Sequence, residues 1–300
     1  MAWDLPEKRI HMKGRADSFT FCHLTDLHIG TAACNEKQLK ADIQTIKDNG
    51  WGWFGGGDYI EAISPSDRRR WDSGIVAPWI DDPEDAVQIQ AEYAADLLRP
   101  IADQCMGLLI GNHEWTARKY GNFSPYRFIV RELAAARGEK VNESGLALGW
   151  GDYFALRFSR STNNKKSGRG AVVTTILHLH HGHGSAGVGL PGNYALKLGR
   201  ELDNFPSAML ILRGHLHVRH YVEKVHEVVA QTKIKKVTRM GFFVPGYLET
   251  RLVDRKTDKV IPPQTYAQER GYGGASIGTF PITIKPYHGE ISAELKAVNA

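Results

Sequence analysis

The sequence has few cysteines and no long apolar run. Its three cysteines are Cys22, Cys34 and Cys105, and no two of them stand in a C-x-x-C spacing. An odd number of thiols without that spacing is typical of free cysteines in a reducing cytosol rather than of a disulfide framework. No apolar run reaches the roughly 18 residues needed to span a bilayer, and the start of the chain has no apolar signal segment. We therefore expect a cytoplasmic protein that does not associate with a membrane.

The composition is ordinary for a globular protein, with 24% charged and 42% hydrophobic residues. The chain has 300 residues, and it contains no internal repeat and no low-complexity segment, so we predict a single domain over residues 1–300. Its core is expected to cover about residues 19–220, followed by a mostly β extension over about residues 221–300. The net charge of +5 is a mild basic excess that suits a polyanionic substrate without requiring one.

Clusters of polar side chains follow five predicted strands, each at the point where the strand ends. Between the first two strands, Asn35 and Gly50 bound a predicted helix whose apolar residues recur at helical spacing. A strand, a helix and a strand in this order predict a right-handed parallel crossover. Because ligands bind beyond the carboxyl ends of strands in open α/β sheets, the five clusters are expected to form one shared site. The predicted strands cover residues 19–24, 51–54, 106–110, 171–180 and 208–212.

These clusters contain the residue types that bind divalent metal ions. They combine carboxylate, amide and imidazole groups with no thiolate, which suits manganese, iron, zinc or nickel rather than a closed structural zinc site. Seven candidates are too many for one tetrahedral ion and about right for two ions that share a carboxylate. We therefore predict two divalent metal ions, with manganese as the expected metal. The candidate ligands are Asp26, His28, Asp58, Asn112, His181, His215 and His217.

The order of the motifs resembles that of the calcineurin-like metallophosphoesterase superfamily. The motifs are Asp-x-His, Gly-Asp, Gly-Asn-His-Glu, a histidine within His-His-Gly-His-Gly, and Gly-His-Leu-His. Each motif alone is weak, whereas five in this order at strand ends are specific. The resemblance covers about residues 19–220 and implies an α/β fold. In that fold two mixed sheets form a β-sandwich flanked by helices, in four αββα layers. The motifs begin at Asp26, Gly57, Gly111, His180 and Gly214.

The resemblance also implies roles for the individual ligands. Asp26, His28 and His217 would bind one metal ion, and Asp58 would bridge that ion to a second one. In two-metal sites the ions lie about 3.5–4 Å apart, activate a water and stabilise the attacking and leaving oxygens. The hydroxide that bridges them would attack phosphorus in line. The other ligands of the second ion would be Asn112, His181 and His215.

Two further residues are implied to act in catalysis. His113 is not a ligand in this pattern, and it would face the scissile ester and stabilise or protonate the leaving oxygen. In relatives, that histidine is often oriented by an acid three residues after the bridging aspartate. Glu61 occupies this position, where aspartate is more usual. We therefore expect Glu61 to orient His113.

Several other histidines have competing interpretations. His183 is the one alternative ligand in the fourth motif. His178 and His180 share the strand face opposite the predicted ligand, so they are expected to pack against or support the site. His23 and His220 are expected to be structural rather than catalytic.

Basic and aromatic residues suggest further contacts with a substrate. The run Arg68 to Arg70 could bind phosphates, although a charge run is more often a solvated loop. Trp71, Trp79 and Trp115 could stack nucleobases, or they could pack in the interior. The sequence leaves both interpretations open.

Two positions indicate the type of phosphoester. Protein phosphatases of the superfamily carry one arginine after the acid that follows the bridging aspartate, and another before Gly-Asn-His-Glu. Ala62 and Ile110 occupy these positions, which removes a cationic grip on a terminal phosphate dianion. Together with a first motif similar to that of the nuclease branch, this predicts a phosphodiesterase acting on DNA or RNA. The glycine-rich stretch after His181 and the segment Tyr266 to Gly278 are similar to phage-borne members. The alternatives are a phosphodiesterase of cyclic or dinucleotide substrates, a phosphomonoesterase, or a non-catalytic scaffold.

Overall fold

A computed structural model describes residues 4–63, 74–82, 84–140, 144–160, 171–184, 191–230, 232–254, 259–260 and 274–294. The predicted phosphate contacts of Arg68 to Arg70, and Trp71, lie outside these residues. Within the described ranges, no helix is both long enough and apolar enough to cross a membrane.

Helices and strands alternate through the first half of the chain, and strands predominate afterwards. The helices are α1 (Glu36–Asn49), α2 (Ala86–Leu98), α3 (Asn112–Tyr120), α4 (Pro125–Ala136) and α5 (Pro191–Asn204), with a 3₁₀ segment at Arg99–Gln104. The strands are β1 (Glu7–Met12), β2 (Phe19–Leu24), β3 (Gly52–Gly55), β4 (Cys105–Leu109), β5 (Ala147–Gly149), β6 (Gly151–Arg160), β7 (Ala171–His180), β8 (Leu210–Arg213), β9 (His220–Ala230), β10 (Lys233–Phe243), β11 (Val253–Asp254), β12 (Lys259–Val260), β13 (Ile282–Lys285) and β14 (Glu290–Ala293).

The first sheet has the order β14-β13-β2-β3-β4-β5. β2, β3, β4 and β5 pair in parallel, whereas β13 pairs antiparallel with both β2 and β14. The carboxyl ends of β2, β3 and β4 therefore lie at one edge of the sheet. The last strands of the chain complete the sheet on the far side of β2.

The second sheet has the order β1-β6-β7-β8-β10-β9. β7, β8 and β10 are parallel neighbours, so the ends of β7 and β8 also meet at one edge. β9 and β10 form an antiparallel hairpin that extends beyond its pairing with β8. A third, small sheet pairs β11 with β12 among the described residues.

The two six-stranded sheets pack face to face and are covered by helices on their outer faces. The core between the sheets is aromatic and aliphatic, and it includes Phe21, Phe54, Phe154 and Phe242. A second core lies between the first sheet and α1, α2 and α4, and a smaller one lies between α5 and the second sheet. This α/β architecture confirms the predicted β-sandwich of two mixed sheets in four αββα layers.

The boundaries of α1 agree with the sequence pattern. The side chain of Asn35 accepts a hydrogen bond from the backbone N–H of Gln38 at 3.0 Å, which satisfies one of the unpaired donors of the first turn. Gly50 ends the helix in the left-handed region at φ 60°. The capping residues that the sequence shows are therefore the ones at which this helix begins and ends.

The start and the buried face of α2 differ from the prediction. The sequence predicts a helix that begins after the cap Asp82 and buries Ile89, Tyr93, Leu97 and Ile101. The first three are only partly buried, whereas Ile101 is buried but lies in the 3₁₀ segment beyond the helix. The helix begins at Ala86, and its alanine face allows close approach to α4 and to the first sheet. The buried residues are Ala86, Gln90, Ala91, Ala94, Ala95 and Leu98.

Candidate metal centre

The five motifs meet at a single edge where the carboxyl ends of both sheets converge. Hydrogen bonds between backbone groups join the loops that follow the strands. The N–H of Asp26 donates to the carbonyl of Gly57 at 2.9 Å, and the N–H of His28 donates to the carbonyl of Asp58 at 3.0 Å. These bonds hold the first and second motifs side by side at this edge.

The backbone of the ligand candidates is strained. Residues other than glycine rarely adopt a positive φ, because the Cβ atom clashes with the backbone. Among the described non-glycine residues, positive φ occurs at Ala62 and otherwise only within the first, second and fifth motifs. Such strain persists only where surrounding contacts determine the conformation, and it is concentrated at functional sites. The strained ligand candidates are Asp26 (52°), His28 (49°), Asp58 (51°), His215 (68°) and His217 (51°).

Two glycines are required by close approach at this edge. A Cβ atom on Gly111 would lie 2.1 Å from Oδ1 of Asp58, and one on Gly214 would lie 2.4 Å from Oδ2 of Asp26. Any larger residue would displace these carboxylates. Gly111 and Gly214, which precede Asn112 and His215, are therefore required because no side chain fits beside the two carboxylates.

The first cluster consists of Asp26, His28 and His217, whose ligand atoms all lie within 4.8 Å of one another. Oδ1 of Asp26 is 3.7 Å from Nε2 of His217, and the rings of His28 and His217 stack with their centroids 5.0 Å apart. This grouping is the one that the resemblance implies for the first metal ion.

The second cluster consists of Asp58, His181 and His215, again with ligand atoms within 4.8 Å of one another. Nε2 of His181 lies 3.1 Å from Oδ2 of Asp58 and 3.0 Å from Oδ1 of Asn112. Asp58 also groups with His28 and His113 within the same limit. Asp58 therefore lies between the two clusters, as a bridging ligand would.

The hydrogen bonds of Asp26 and His28 leave one polar atom of each residue without a partner. Oδ2 of Asp26 accepts from Thr25 and from the N–H of His215, while its Oδ1 is buried without a hydrogen-bond partner. Nδ1 of His28 contacts Glu61, while its Nε2 is buried and also lacks a partner. In His181, Nδ1 donates to the carbonyl of Gly56 at 2.8 Å, which directs Nε2 inward.

The unpaired atoms of Asp26 and His28 indicate whether these residues are suited to bind a metal ion. An unpaired buried polar atom costs about 1–3 kcal/mol, so such atoms are retained where a ligand satisfies them. Metal-binding histidines characteristically donate their second ring N–H to a carboxylate or a backbone carbonyl, as His28 and His181 do. The donor set of carboxylates, imidazoles and one amide therefore fits divalent metal ions.

Charges within the cavity shift the acidities of the ligands. Burial opposes the charged form of His28, but the Glu61 carboxylate overcomes this and raises the pKa of His28 to about 9. Burial likewise opposes the charge on His181, and Asp58 raises the pKa of that histidine to about 10. Against the effect of burial, His113 and His181 hold the pKa of Asp58 below its usual value. Burial lowers the pKa of His217 to about 4.

Metal binding at about pH 7.5 is expected to release about two protons per chain. In the metal-free protein, His28 and His181 are protonated below their pKa values of about 9 and about 10, and a metal requires both to be neutral. Metal affinity should therefore rise with pH up to about 10, more steeply below about 9, where both histidines are still protonated. Calorimetric titration in buffers of different ionisation enthalpy measures the proton release, and the exposed-site variant His11→Ala is the control. Binding without proton release would contradict the expectation.

Glu61 contacts both His28 and His113, but not in the way that the resemblance implies. Its carboxylate Oε2 lies 2.6 Å from Nδ1 of His28, and it is the main-chain carbonyl of Glu61 that lies 2.6 Å from Nδ1 of His113. The other carboxylate oxygen is 3.9 Å from His113. The additional methylene of glutamate, compared with aspartate, lets the carboxylate reach His28.

The ring of His113 faces the centre of the site. Its Nδ1 is directed at a carbonyl, which can only accept, so the proton lies on Nδ1 and donates to Glu61. Nε2 lies 3.8 Å from Oδ2 of Asp58, and the ring meets that of His28 edge-on at 4.8 Å. His113 thus presents Nε2 toward the space between the clusters.

Glu114 is a site residue that sequence reasoning gave no role, although it belongs to the third motif. Its fully buried carboxylate accepts hydrogen bonds from the backbone N–H groups of Gly111, Asp58 and Ile60, at 2.9, 3.0 and 3.2 Å. Burial raises the pKa of Glu114, but these three donors require an acceptor at this position. Glu114 therefore ties the loop that carries Asp58 to the start of α3.

Glu114→Gln is expected to lower the free energy of unfolding by about 1.5–3 kcal/mol. The amide has one acceptor oxygen, and its NH₂ group would face a backbone donor. Because the ligand Asp58 is displaced, metal affinity should also fall about 10–100-fold. Urea denaturation and metal titration measure the two effects, with Glu223→Gln on the exposed face of β9 as the matched control. An unchanged metal affinity would show that Glu114 does not position Asp58.

The remaining histidines lie apart from the two clusters. His183 is exposed and contacts the ring of His180, so it is His181 that stands beside Asp58. His178 stacks on Phe205 with ring centroids 3.6 Å apart, beneath α5. His23 is fully buried, and burial lowers its pKa to about 3. The placement of these residues agrees with packing roles.

The three cysteines are buried, and none forms a disulfide bond in the described structure. Burial raises the pKa of Cys105 to about 12, which keeps its thiol protonated and unreactive. No cysteine belongs to the clusters that could hold a metal.

Comparisons with known proteins find similar architectures at low sequence identity. No family model matches the chain, and no curated protein matches it. Among solved structures, a conserved uncharacterized protein and predicted phosphoesterase from Streptococcus pneumoniae TIGR4 is 12% identical, with a TM-score of 0.30, over 89% of this chain and 84% of that one. Zinc-bound wild-type Vps29 from Entamoeba histolytica is 11% identical, with a TM-score of 0.34, over 92% and 97% of the two chains.

A third similar structure is GAP50, the anchor in the inner membrane complex of Plasmodium. It is 11% identical, with a TM-score of 0.40, over 89% of this chain and 81% of that chain. Identities of 11–12% and TM-scores of 0.30–0.40 carry no argument about function, so the function is inferred from the residues of the chain itself. The αββα layering and the convergence of five ordered motifs at one edge are the features that membership of the calcineurin-like metallophosphoesterase superfamily predicts.

Proposed function

We propose that this protein is a metal-dependent phosphodiesterase that hydrolyses nucleic acid. The observation that carries the proposal is the pair of ligand clusters joined by Asp58, which belongs to the second cluster and also groups with His28 of the first, with His113 presenting Nε2 between them. Two divalent cations, with manganese expected, would supply an activated water and neutralise the charge on the phosphate. The ligands of the first cation would be Asp26, His28, Asp58 and His217, and those of the second would be Asp58, Asn112, His181 and His215.

His113 is proposed to act on the leaving oxygen. The Glu61 carbonyl holds its Nδ1 at 2.6 Å, so the ring keeps one orientation and Nε2 faces the substrate. With Nδ1–H held on that carbonyl, a second proton, carried on Nε2, would pass to the leaving oxygen as the ester bond breaks, which makes His113 the general acid.

The surroundings of the site favour a diester over a monoester. The backbone N–H of Ala62 donates to the side chain of Gln90 at 2.8 Å, and Ile110 is buried in the core. Neither position supplies the cation that would neutralise the second charge of a monoester dianion. A diester carries one charge and two substituents, which suits this arrangement.

Hydrolysis of bis-p-nitrophenyl phosphate is expected to exceed that of p-nitrophenyl phosphate after chelation and addition of Mn²⁺. His113→Ala should lower the rate on the diester about 10²–10⁴-fold, as expected for loss of a general acid. His288→Ala, at an exposed position, is the matched control. Single- and double-stranded DNA and RNA are then the natural substrates to assay.

The outcomes of that experiment separate the alternatives. Preference for the monoester would overturn the inference drawn from Ala62 and Ile110. Turnover of the diester without turnover of any nucleic acid would indicate a cyclic or dinucleotide substrate. Absence of turnover with Mn²⁺, Zn²⁺, Fe²⁺ or Ni²⁺ would leave the scaffold interpretation.

A further inference from the structure

Two exposed tryptophans contact one another beside the metal centre. Trp115 retains 40% and Trp150 retains 39% of its surface in solvent, and their ring centroids are 5.6 Å apart at an interplanar angle of 60°. Tryptophan rings are large and apolar, so a pair left this exposed has faces available for a ligand. The open faces of the rings therefore need a functional explanation.

Trp115 lies on α3, the helix that begins at the ligand candidate Asn112. It follows the ligand candidate Asn112 by three residues in α3, and side chains at this spacing share a helix face. Arg118 continues the same face, with its guanidinium 5.4 Å from the centroid of the Trp115 ring. The face thus carries a metal ligand, an aromatic ring and a cation in succession.

Trp150 reaches the same place through sheet pairing. The carbonyl of Gly149 accepts a hydrogen bond from the N–H of Ile110 at 2.7 Å, just before the third motif. Gly151 pairs with His180, which precedes the ligand candidate His181. Trp150 is therefore fixed between the strands that deliver the third and fourth motifs, one from each sheet.

We propose that Trp115 and Trp150 stack an unpaired nucleobase next to the scissile phosphodiester, and that Arg118 contacts the adjoining phosphate. This inference rests on the proposed function and specifies its substrate as single-stranded nucleic acid. Aromatic side chains next to a cation are the common means of binding single strands, because every base has a π face. The bases of a duplex are stacked on one another and cannot reach the rings.

The tryptophan pair is expected to raise the affinity for single-stranded nucleic acid without preferring one base over another. Stacking on an aromatic side chain is worth about 1–3 kcal/mol per base, which corresponds to about 5–150-fold in binding. Arg118 should add an attraction that weakens as salt concentration rises, since it acts on phosphate.

The test compares an oligothymidylate with an abasic strand of the same length, and the equivalent RNA strands, as substrates of the manganese-loaded enzyme. The wild-type protein should hydrolyse the base-containing strand with a kcat/KM about 10–100-fold higher than the abasic strand. Trp115→Leu combined with Trp150→Leu should remove this preference and leave hydrolysis of the abasic strand and of bis-p-nitrophenyl phosphate within about threefold of wild type. Arg118→Gln should weaken both strands equally.

Two further variants guard against misinterpretation. The double variant with phenylalanine at positions 115 and 150 keeps aromatic faces and should retain most of the preference. Tyr221→Leu removes an equally exposed aromatic ring on β9 and should change nothing. Thermal melting of each variant checks the fold.

The possible failures are distinguishable. Equal hydrolysis of both strands by the wild-type protein, or a preference that survives the leucine substitutions, overturns the stacking role alone. Hydrolysis of neither strand, with bis-p-nitrophenyl phosphate still cleaved, overturns the nucleic-acid proposal and the stacking role together.

Discussion

Replacing Asp58 with asparagine is expected to lower diester turnover at least about a thousandfold, which corresponds to about 4 kcal/mol of transition-state stabilisation. Asp58 belongs to the second cluster and also groups with His28 of the first, so its carboxylate is placed to serve both candidate metal positions. Its Oδ1 accepts from the backbone N–H of His113 at 2.9 Å, and its Oδ2 faces His181 at 3.1 Å. Asparagine keeps the shape but removes the negative charge and one acceptor oxygen.

The measurement is steady-state hydrolysis of bis-p-nitrophenyl phosphate, accompanied by metal analysis of the purified protein. Metal content should fall with activity, while circular dichroism and the melting temperature of the metal-free protein stay near those of wild type. Asp103→Asn, at an exposed position, provides the control for the substitution itself. Near-normal turnover by Asp58→Asn at saturating Mn²⁺ would exclude this residue as the shared ligand and would contradict the two-metal proposal.

Replacing Glu201 with glutamine is expected to lower the free energy of unfolding by about 3–5 kcal/mol. Glu201 on α5 pairs with Arg213 at the end of β8, and their side chains are 11% and 3% exposed. Arg213 also donates to the carbonyl and approaches the ring nitrogen of His178, at 3.1 and 2.9 Å. Without the glutamate, a buried guanidinium would keep its charge and lose its counter-ion.

Urea denaturation measures this loss of stability. Asp203→Asn offers a matched comparison. Asp203 lies on the same helix as Glu201, but it is exposed and pairs with Lys224 of β9. Little change in stability is expected for this variant. Adding Arg213→Met to Glu201→Gln removes the unpaired charge, so the double variant should be more stable than Glu201→Gln alone. A double variant that is less stable would refute the explanation by an uncompensated charge.

Several elements could be predicted because their signals are local. The limits of β2 and α1 follow from a short apolar run, an asparagine cap and a terminal glycine, all of which act within a few residues. The architecture followed from parallel strands joined by helices and from the resemblance of the motifs. By contrast, β1 was missed because its first three residues are all charged and it lies at a sheet edge, where only its pairing with β6 defines it.

The buried face of α2 shows how tertiary structure overrides periodicity. Gln90 is buried because its side chain binds the backbone of Ala62, in the loop that follows β3. The helix turns its alanines toward the core, because small side chains permit closer packing. The larger apolar residues Ile89, Tyr93 and Leu97 are therefore only partly buried. No pattern within the helix itself could show that a distant loop would require an acceptor at this position.

The sequence by itself determined the chemistry of the site, because ligand types and their places after strand ends are local properties of the chain. Only the tertiary structure decided which groups meet. The carboxylate of Glu61 contacts His28 rather than His113, and Glu114 receives three backbone donors from two loops. Trp115 and Trp150 come together because β5 pairs with β4. Such contacts depend on side-chain reach across strands that are far apart in sequence, and that reach exists only once the sheets have formed.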